Sequence, residues 1–159
     1  MNRQETLDRI AKVEEELAKA KEELERLDQA RWAPGYEECY FFINHNGCAY
    51  MSRWDNQEFE KSRVIIGNVF KTEQEAEHAV ERLKIRAELL DAGGRDKLKQ
   101  REENYSITYK PYEYKLGVTF ALDAPLFDFI YFDSENEVKE AIKQVGEDRI
   151  KKYMFGVES

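Results

Sequence analysis

The chain has 159 residues, 36% of them charged and 42% hydrophobic, and a formal net charge of −8 at pH 7. A chain of this length buries about two-thirds of its unfolded surface, so it can fold without disulfides or a metal. It has no run of about eighteen apolar residues and no basic-then-apolar N-terminus, which argues against a membrane span and a signal peptide. We therefore expect a cytoplasmic protein.

Charged residues of both signs are interleaved along the whole chain. Such mixing is typical of a solvated surface. It supports neither an acidic face that imitates a nucleic acid nor a basic stripe that binds one. We therefore expect no direct nucleic-acid binding. Cys39 and Cys48 do not make a metal-binding pattern, and we predict that both are ordinary strand residues.

Residues 1–31 predict a helical arm. They contain no Gly or Pro, and strong helix formers dominate them. Apolar residues fall on heptad positions a and d with charged flanks, which is the pattern of a coiled-coil seam. The seam residues are Ile10, Val13, Leu17, Ala20, Leu24 and Leu27. We expect the arm to pair with a second copy or with another protein's helix; the alternative is that it folds back onto its own chain.

Residues 32–94 predict a first unit of three strands and a helix. The pair Asn46-Gly47 is a strong signal for a two-residue hairpin turn. Its cross-strand pairs would be Ile43 with Tyr50 and His45 with Cys48. The apolar stretch RVIIGNVF then predicts a third strand that is broken near Gly67.

A helix follows the third strand of this unit. Thr72 and Glu75 form a capping box that begins it, and Gly93 or Gly94 suits its left-handed C-terminal position. Apolar residues recur with a helical period along one side. The predicted buried face comprises Ala76, Ala79, Val80, Leu83, Ala87 and Leu90.

Residues 104–159 predict a second unit of the same order, after a charged and exposed linker at 95–103. Alternating apolar residues predict two half-buried antiparallel strands with a turn near Pro111, and LFDFIYF predicts a third strand. Ser134 and Glu137 form a second capping box. The predicted buried residues of the helix are Val138, Ala141, Ile142 and Val145. After Gly146 we expect a short basic turn held by Tyr153 and Phe155.

The two units share one local template, FKTEQEAEHAV at 70–80 and FDSENEVKEAI at 132–142. One small unit leaves part of its sheet uncovered, whereas two units can share a core. The predicted fold class is α+β. An N-terminal, coiled-coil-like helical arm precedes two β-β-β-α repeats, whose antiparallel sheet is covered by helices. Residues 32–159 are expected to form one globular body.

The sequence contains no recognisable catalytic pattern. It has no Gly-rich phosphate loop, paired CxxC, HExxH or Ser nucleophile elbow. Its two histidines, His45 and His78, fall beside a hairpin turn and on an exposed helix surface. Acidic residues in first helical turns are explained by capping and by the helix dipole. A small enzyme of unknown class is therefore the weaker alternative, and no catalytic residue, metal or cofactor is assigned.

Aromatic and basic residues around the end of the arm and the first hairpin indicate a binding site. Trp is costly to expose, and Arg beside an aromatic ring can hold a planar or phosphorylated ligand. The candidate ligand-binding residues are Trp32, Tyr36, Arg53, Trp54 and Arg63. The structural alternative is that both tryptophans fill the junction between arm and sheet.

Three sequence segments and the charged helix ahead of them resemble small accessory proteins encoded by tailed phages and prophages of Gram-positive bacteria. The segments are WAPGYEECYFFI, IGNVFKTEQEAEHAVERLKIRAELL and YFDSENEVKEAIKQVGEDRIKKYMFGVE. The resemblance covers most of the chain but names no reaction, so it carries over no catalytic residue. Where that family has a Gly-Glu pair, this chain has Gly35-Tyr36-Glu37.

The resemblance implies a phage accessory protein, and such proteins often counter host defence. We therefore expect a non-enzymatic, oligomeric protein that acts in the host cytoplasm, where it binds and antagonises a host defence protein. The alternative is a sponge that sequesters a nucleotide immune signal in the aromatic and arginine site.

Overall fold

The computed structural model describes residues 9–10, 12–21, 31–121 and 129–157, apart from the side chain of Ala121. The chain divides into two compact units, Met1–Ala33 and Pro34–Ser159. The described residues form an α+β structure with five helices and two antiparallel sheets of two strands each. The predicted fold class is confirmed at this level.

In the first unit, residues 9–10 and 12–21 are helical and are designated α1. The long aliphatic side chains of the predicted seam in this range are exposed, Ile10 by 49%, Val13 by 61% and Leu17 by 53%. Ala20 is also exposed. Leu24 and Leu27 lie outside the described residues, and pairing of the seam stays a prediction.

The first sheet of the second unit is a hairpin of β1 (Cys39–Ile43) and β2 (Ala49–Arg53). Phe42 lies opposite Tyr50. The register therefore differs by one residue from the expected one. The predicted pairs, Ile43 with Tyr50 and His45 with Cys48, are wrong.

The turn of this hairpin begins at Asn44, earlier than predicted. The Asn44 carbonyl accepts from the Gly47 N–H at 3.0 Å, and its Oδ1 accepts from the N–H groups of Asn46 and Cys48 at 2.9 and 3.1 Å. Gly47 takes a left-handed φ of +72°, which glycine adopts without steric cost. The Asn44 side chain thus fixes a longer loop than the expected two-residue turn.

The predicted third strand of the first unit is instead a helix, α2 (Glu58–Ile66). At its start the Glu60 carboxylate accepts from the backbone N–H of Gln57 at 3.0 Å, which is the glutamate half of a capping box. At its end Gly67 has a φ of +80°, and the Asn68 N–H donates to the Arg63 carbonyl at 2.8 Å. These two ends override the strand propensity of the β-branched residues before Gly67.

The strand pairing expected of RVIIGNVF is reduced to one bridge. Phe70 exchanges two backbone hydrogen bonds with Phe41 of β1, each 2.9 Å long. The next residues enter a long helix, α3 (Glu73–Asp91).

The second sheet is a hairpin of β3 (Asn104–Lys110) and β4 (Lys115–Ala121), and its turn at 111–114 is where Pro111 predicted it. The third strand expected from LFDFIYF is wrong over its described part, since Tyr105 of β3 pairs with Phe132 only in an isolated bridge. The rest of that stretch, 126–128, lies outside the described residues. The described strands thus form two separate hairpins in place of one sheet.

The predicted helix starts are confirmed. Thr72 and Glu75 make a reciprocal capping box at α3, with both bonds 3.2 Å long. Ser134 accepts from the Glu137 N–H at 3.2 Å at the start of α4 (Glu135–Val145). In the predicted capping box the Glu137 carboxylate would accept from the N–H of Ser134. It accepts instead from the N–H of Asp133, one residue earlier.

The buried face of α3 differs from the predicted face. Its buried residues are Ala76, Val80, Ile85 and Leu89. Of the predicted face, Leu83, Ala87 and Leu90 are exposed and Ala79 is half-buried. The helix contacts β1 and β2 of the first hairpin, and its residues Ile85 and Leu89 join the core cluster that also contains Ile107 and Leu116 of the second hairpin. The C-terminal prediction holds, since Gly93 has a φ of +97°.

The residues after Gly146 form a helix, α5 (Glu147–Phe155), where only a short basic turn was expected. Ile150 is the buried residue of this helix; Tyr153 is half-buried, and Phe155 is 37% exposed. The α4 face is confirmed, with Ile142 half-buried. The main core cluster comprises Ile85, Leu89, Ile107, Leu116, Ile130, Phe132, Val138, Ala141, Val145 and Ile150.

The segment 95–103 was predicted to be an exposed linker, but several of its residues contact the rest of the second unit. Arg95 pairs with Tyr131 in a backbone bridge, and its guanidinium lies 2.9 Å from Asp133. The Asn104 side chain is buried and exchanges hydrogen bonds of 2.9 and 2.8 Å with the backbone of Lys99. These contacts hold the segment against the start of β3.

Candidate functional site

The residues predicted to bind a ligand are distributed differently from the expected pocket. Trp54 is 8% exposed, and its ring packs edge-on against Tyr40 at 5.8 Å. Tyr36 and Arg53 are exposed. Trp32 is half-buried and belongs to the first compact unit. Trp54 therefore packs in the interior of the first hairpin region. The alternative, that both tryptophans fill the junction between arm and sheet, stays a prediction.

Arg63 is the one predicted ligand residue that lies within a defined constellation. Its guanidinium carbon is 3.6 Å from the ring centre of Phe42 and 4.9 Å from that of Phe59. Its Nη1 donates to the hydroxyl of Tyr40, which in turn donates to Glu60 Oε1 at 3.1 Å. The guanidinium is thus held in place by two rings and one hydrogen bond.

The carboxylate of Glu60 lies at the centre of this constellation, which we call the Glu60 network (Tyr40, Glu60 and Arg63). The residue is only 1% exposed. Its Oε2 accepts from the N–H groups of Asp55 and Gln57, each at 3.0 Å. The network attaches α2 to the first hairpin through a buried charge with donors on both oxygens.

The electrostatics of the network favour an ionised Glu60. Burial by itself raises the pKa of Glu60, but the hydrogen bonds from Gln57, Asp55 and Tyr40 outweigh burial, so its pKa is lowered. Burial raises the pKa of Tyr40, although Arg63 partly opposes this rise. The pair therefore stays as a carboxylate and a neutral phenol near neutral pH.

A shallow depression of about 600 Å³ opens beside the Arg63 guanidinium. Aromatic rings and the polar residues of the first hairpin turn surround it. Its lining comprises Phe42, Ile43, Asn44, His45, Asn46, Tyr50 and Arg63. A fixed guanidinium beside aromatic rings can contact a planar or anionic group, so this depression is where the predicted ligand chemistry is best preserved.

An apolar groove of about 530 Å³ lies between the end of α2 and the side of α3, and we call it the α2–α3 groove. Ile66, which is 75% exposed, and Leu83, which is 57% exposed, both line this groove. Arg82 and Arg86, one helical turn apart, add positive charge. The other lining residues are Ile43, Gly67, Asn68, Phe70, Ala79 and Met154.

The walls of the α2–α3 groove are held by directed contacts. The Asn68 side chain accepts from the Ile43 N–H at 2.7 Å and donates to the Ile43 carbonyl at 2.8 Å, as a strand neighbour would. Arg149 of α5 donates two hydrogen bonds of 2.8 and 3.0 Å to Glu88 of α3. Arg149 thereby fixes the helix that carries Met154.

The turn of the second hairpin carries two prominent tyrosines. Tyr112 is 98% exposed and Tyr114 is 76% exposed. Tyr114 has a φ of +50°, a left-handed conformation that large side chains rarely adopt. Between them, the carboxylate of Glu113 pairs with Lys115 and lies 3.8 Å from Lys110. We call residues 111–114 the tyrosine tip.

A third cavity is a polar cleft of about 540 Å³. Cys48 and His78 are among the residues that line it. His78 was expected to be exposed but is half-buried, with its ring 5.0 Å from that of Tyr153. Both cysteines are exposed thiols; Cys39 is a strand residue as predicted, and Cys48 lies in the turn before β2. Within the described ranges, no three His, Cys, Asp or Glu side chains are grouped to hold a metal ion.

Comparison with known proteins found no matching family model, no similar curated protein and no similar solved structure. Among the helices that the structure describes, none is both long and apolar enough to cross a membrane. Candidate functions for this chain must therefore be argued from its own surfaces.

Sequence reasoning missed the groove and the tip for different reasons. Leu83 has the spacing of a buried helical residue, so its exposure depends on where β1, β2 and the second hairpin contact α3. Tyr112 and Tyr114 follow Pro111 in a turn. The one sequence signal for an exposed aromatic residue there was Tyr114, which stands at a turn position that favours Gly or Asn.

Proposed function

We propose that this chain is a non-enzymatic phage accessory protein, which associates with itself through α1 and antagonises a component of host defence in the bacterial cytoplasm. The observation that carries the proposal is the exposed stripe of Ile10, Val13 and Leu17 on a helix whose other described residues are charged or alanine. Exposed aliphatic side chains at heptad spacing lose water-exposed apolar area when two helices pair.

The arm is too short to be the whole of the proposed assembly. Its seam contains Ala20, which buries little apolar area, and short isolated coils are marginal in water. We therefore propose that the body, Pro34–Ser159, contributes to association as well. Its exposed aromatic and aliphatic residues, among them Tyr112, Tyr114 and Ile66, are side chains of the kind that interfaces use.

The experiment for the arm is a pair of substitutions in the full chain. Leu17→Glu places a charge on the stripe, whereas Ala18→Glu introduces the same side chain one residue away from it. Sedimentation equilibrium should show a lower average mass for Leu17→Glu and no change for Ala18→Glu. Equal masses for wild type and Leu17→Glu would remove the arm from the proposal.

The host partner is tested separately. Purified chain should bind one of a set of purified defence complexes in a pull-down, and its expression should restore plaques of a sensitive phage on a host that carries that defence. A chain that binds none of the complexes and restores no plaques would contradict the role in defence, whatever its oligomeric state.

A second candidate function is a sponge for a nucleotide signal, and the depression beside Arg63 is the observation that favours it. The guanidinium is positioned by Phe42 and Tyr40, and so is ready to contact a phosphate or a base. A panel of cyclic and ADP-ribose-type nucleotides should then include one that raises the melting temperature by mass action.

The control for this candidate compares two arginines. Arg63→Lys removes the planar guanidinium, so the nucleotide should no longer raise the melting temperature of this variant. Arg53→Lys, at an exposed strand end, should show the same rise in melting temperature as the wild-type chain. If no nucleotide of the panel shifts the wild-type chain, the sponge function is excluded for those ligands.

A further inference from the structure

We infer that the open edge of β2 binds an extended segment of a partner protein, which adds to the first hairpin as a third strand. Such binding rests on the proposed role of the chain as an antagonist, and it states which part of a partner the body recognises. The backbone of β2 provides the contacts, so strand addition requires no association through α1.

The hydrogen bonds at the two ends of the hairpin fix the direction of each backbone group of β2. The Asn44 N–H donates to the Cys48 carbonyl, and the Trp54 N–H donates to the Glu38 carbonyl, both at 2.9 Å. Opposed residues of an antiparallel pair alternate between hydrogen-bonded and non-hydrogen-bonded positions. In the observed register, the even-numbered residues therefore bond across the hairpin. The residues of β2 whose N–H and carbonyl groups point to its outer edge are Ala49, Met51 and Arg53.

The outer edge of β1 follows the same alternation and is covered by its own chain. Phe41 exchanges its two outward hydrogen bonds with Phe70, each 2.9 Å long. Ile43 exchanges its outward bonds with the Asn68 side chain, at 2.7 and 2.8 Å. Another strand cannot pair with β1 at these residues.

The second hairpin also has contacts along its outer edges, whereas β2 has none. Tyr105 of β3 pairs with Phe132, and the Leu116 N–H of β4 donates to the Glu147 carboxylate at 3.3 Å. In the described part of the chain, no residue bonds to an outward N–H or carbonyl group of β2. Strand edges are usually covered or blocked, because their unpaired groups can pair with another chain. Of the four strands, β2 is therefore the one with an open edge in the described residues.

The edge of β2 is accessible to a partner. Met51 is 57% exposed, and Arg53 is also exposed. The five residues of the strand extend over about 17 Å. A row of N–H and carbonyl groups at strand spacing is complementary to another extended backbone, which is the basis of recognition by strand addition. A helix has no free row of this kind and a nucleic acid has no peptide groups, so neither fits this edge.

The side chains of β2 indicate the composition of the segment. Successive side chains lie on opposite faces of a strand, so an added strand would lie beside Tyr50 on one face and Met51 on the other. Both favour apolar or aromatic neighbours across the strands. Arg53 makes no ion pair with a described residue, so it favours a carboxylate. We therefore expect a segment that is apolar in its middle and acidic where it passes Arg53.

The probe is a displayed library of random peptides of about seven residues, slightly longer than β2. The full-length chain should enrich peptides that combine apolar residues with a carboxylate. A selected peptide should slow amide hydrogen exchange at Met51 and Arg53 by at least about tenfold, because their N–H groups become bonded. The N–H of Tyr50 bonds across the hairpin already, so its exchange should change less.

Two substitutions at Met51 separate backbone pairing from side-chain contacts. Met51→Pro removes an outward N–H and places a ring at the edge, while the bonds to β1 remain. Met51→Thr keeps the N–H and a strand-forming side chain. Selected peptides should bind Met51→Pro at least about tenfold more weakly than wild type, and Met51→Thr within about threefold. Equal affinity for Met51→Pro and wild type would overturn the inference, as would a wild-type chain that enriches no peptide.

A charge reversal tests the same edge without proline. Circular dichroism and the melting temperature show whether Met51→Pro keeps the fold. If it does not, Arg53→Glu decides, because it leaves the backbone of β2 unchanged. Arg53→Glu should weaken the binding of acidic peptides at least about threefold, whereas Lys71→Glu, an exposed residue outside β2, should leave it unchanged. Equal affinities for these two variants would contradict the inferred site.

Other occupants and the proposed function give distinct results. If Met51→Pro lowers the average mass of the full chain and wild type enriches no peptide, the edge pairs with a second copy and the inferred occupant is wrong. Peptide binding at β2 without capture of any defence complex would reject the role in defence and keep the strand-binding edge. Equal capture of a defence complex by wild type and Met51→Pro would reject the edge and keep the role.

Discussion

The two halves of the body use the same local frame. In each half a hairpin precedes a phenylalanine that bridges back to its first strand, Phe70 to Phe41 and Phe132 to Tyr105. In each half a hydroxyl residue two positions later caps a helix. The shared template of the sequence therefore corresponds to a shared bridge and helix start.

The interiors of the two halves differ. The first half is joined by the buried Glu60 network, whose carboxylate attaches α2 to the hairpin. The second half is filled by aliphatic residues and Phe132, with Asn104 and Ser106 as its buried polar side chains in the described residues. A repeated template thus fixes where helices start, while the residues between the template positions decide what holds each half together.

The largest expected effect is at the bridging phenylalanines. Phe132 is fully buried, so Phe132→Ala should lower the free energy of unfolding by about 4 kcal/mol. Phe70 is half-buried, and Phe70→Ala should cost about half as much. Urea unfolding of both variants measures the ratio. Equal losses would mean that the two interiors are more alike than the structure indicates.

The next effect concerns the Glu60 network. Glu60→Ala leaves the Tyr40 hydroxyl and two backbone N–H groups without their acceptor, and it should cost about 3 kcal/mol. Glu58→Ala, an exposed glutamate in the same first turn, should change stability very little. Similar unfolding curves for the two variants would contradict a structural role for the buried carboxylate.

The contribution of Glu60 should depend on pH in a defined direction. Its pKa is lower in the folded chain than in the unfolded chain, so the unfolded chain binds the proton more tightly. The stabilisation is present above the ordinary glutamate range, and it is lost as the pH falls through the folded pKa. The stability difference between wild type and Glu60→Gln should therefore shrink in acid; a difference that grows in acid would contradict this sign.

The helix caps should give smaller and equal effects. Thr72→Ala and Ser134→Ala each remove one side-chain acceptor for a backbone N–H, at 3.2 Å in both helices. Each should cost about 1 kcal/mol. Thermal unfolding of the two single variants and of the double variant measures these losses of stability. Equal losses would mean that the shared template stabilises both helices to the same extent, and strongly unequal losses in the single variants would contradict this.

The smallest effect compares the two hairpin turns. Tyr114→Gly should stabilise the chain by about 0.5–1 kcal/mol because glycine relieves the left-handed backbone. Gly47→Ala, at a φ of +72°, should destabilise it by about 1 kcal/mol. Chemical denaturation resolves the opposite signs. A loss of stability in Tyr114→Gly would show that the ring is used within its own copy.

Much of the local structure could be predicted from the sequence. The capping residues Thr72 and Ser134 located two helix starts, because a hydroxyl side chain followed by Glu satisfies N–H groups wherever the helix packs. The second turn followed Pro111. The α2 helix could not be predicted in the same way, because the cap at Gln57 is atypical and Ile65 and Ile66 favour strands.

The sites depended on long-range contacts that the sequence does not display. Arg63 was a predicted ligand residue, but its partner Tyr40 is distant in the chain, and Glu60 looked like an ordinary surface carboxylate. Trp54 resembled an interface residue and is buried beside Tyr40. Leu83 resembled a core residue and is exposed because α3 contacts both halves of the body along other sides.

The most direct test of the proposed function is the mass of the full chain in solution over a wide range of protein concentration. Self-association through the arm and the body predicts an average mass above 18.8 kDa that rises with concentration. A single species of 18.8 kDa at every concentration would contradict the account.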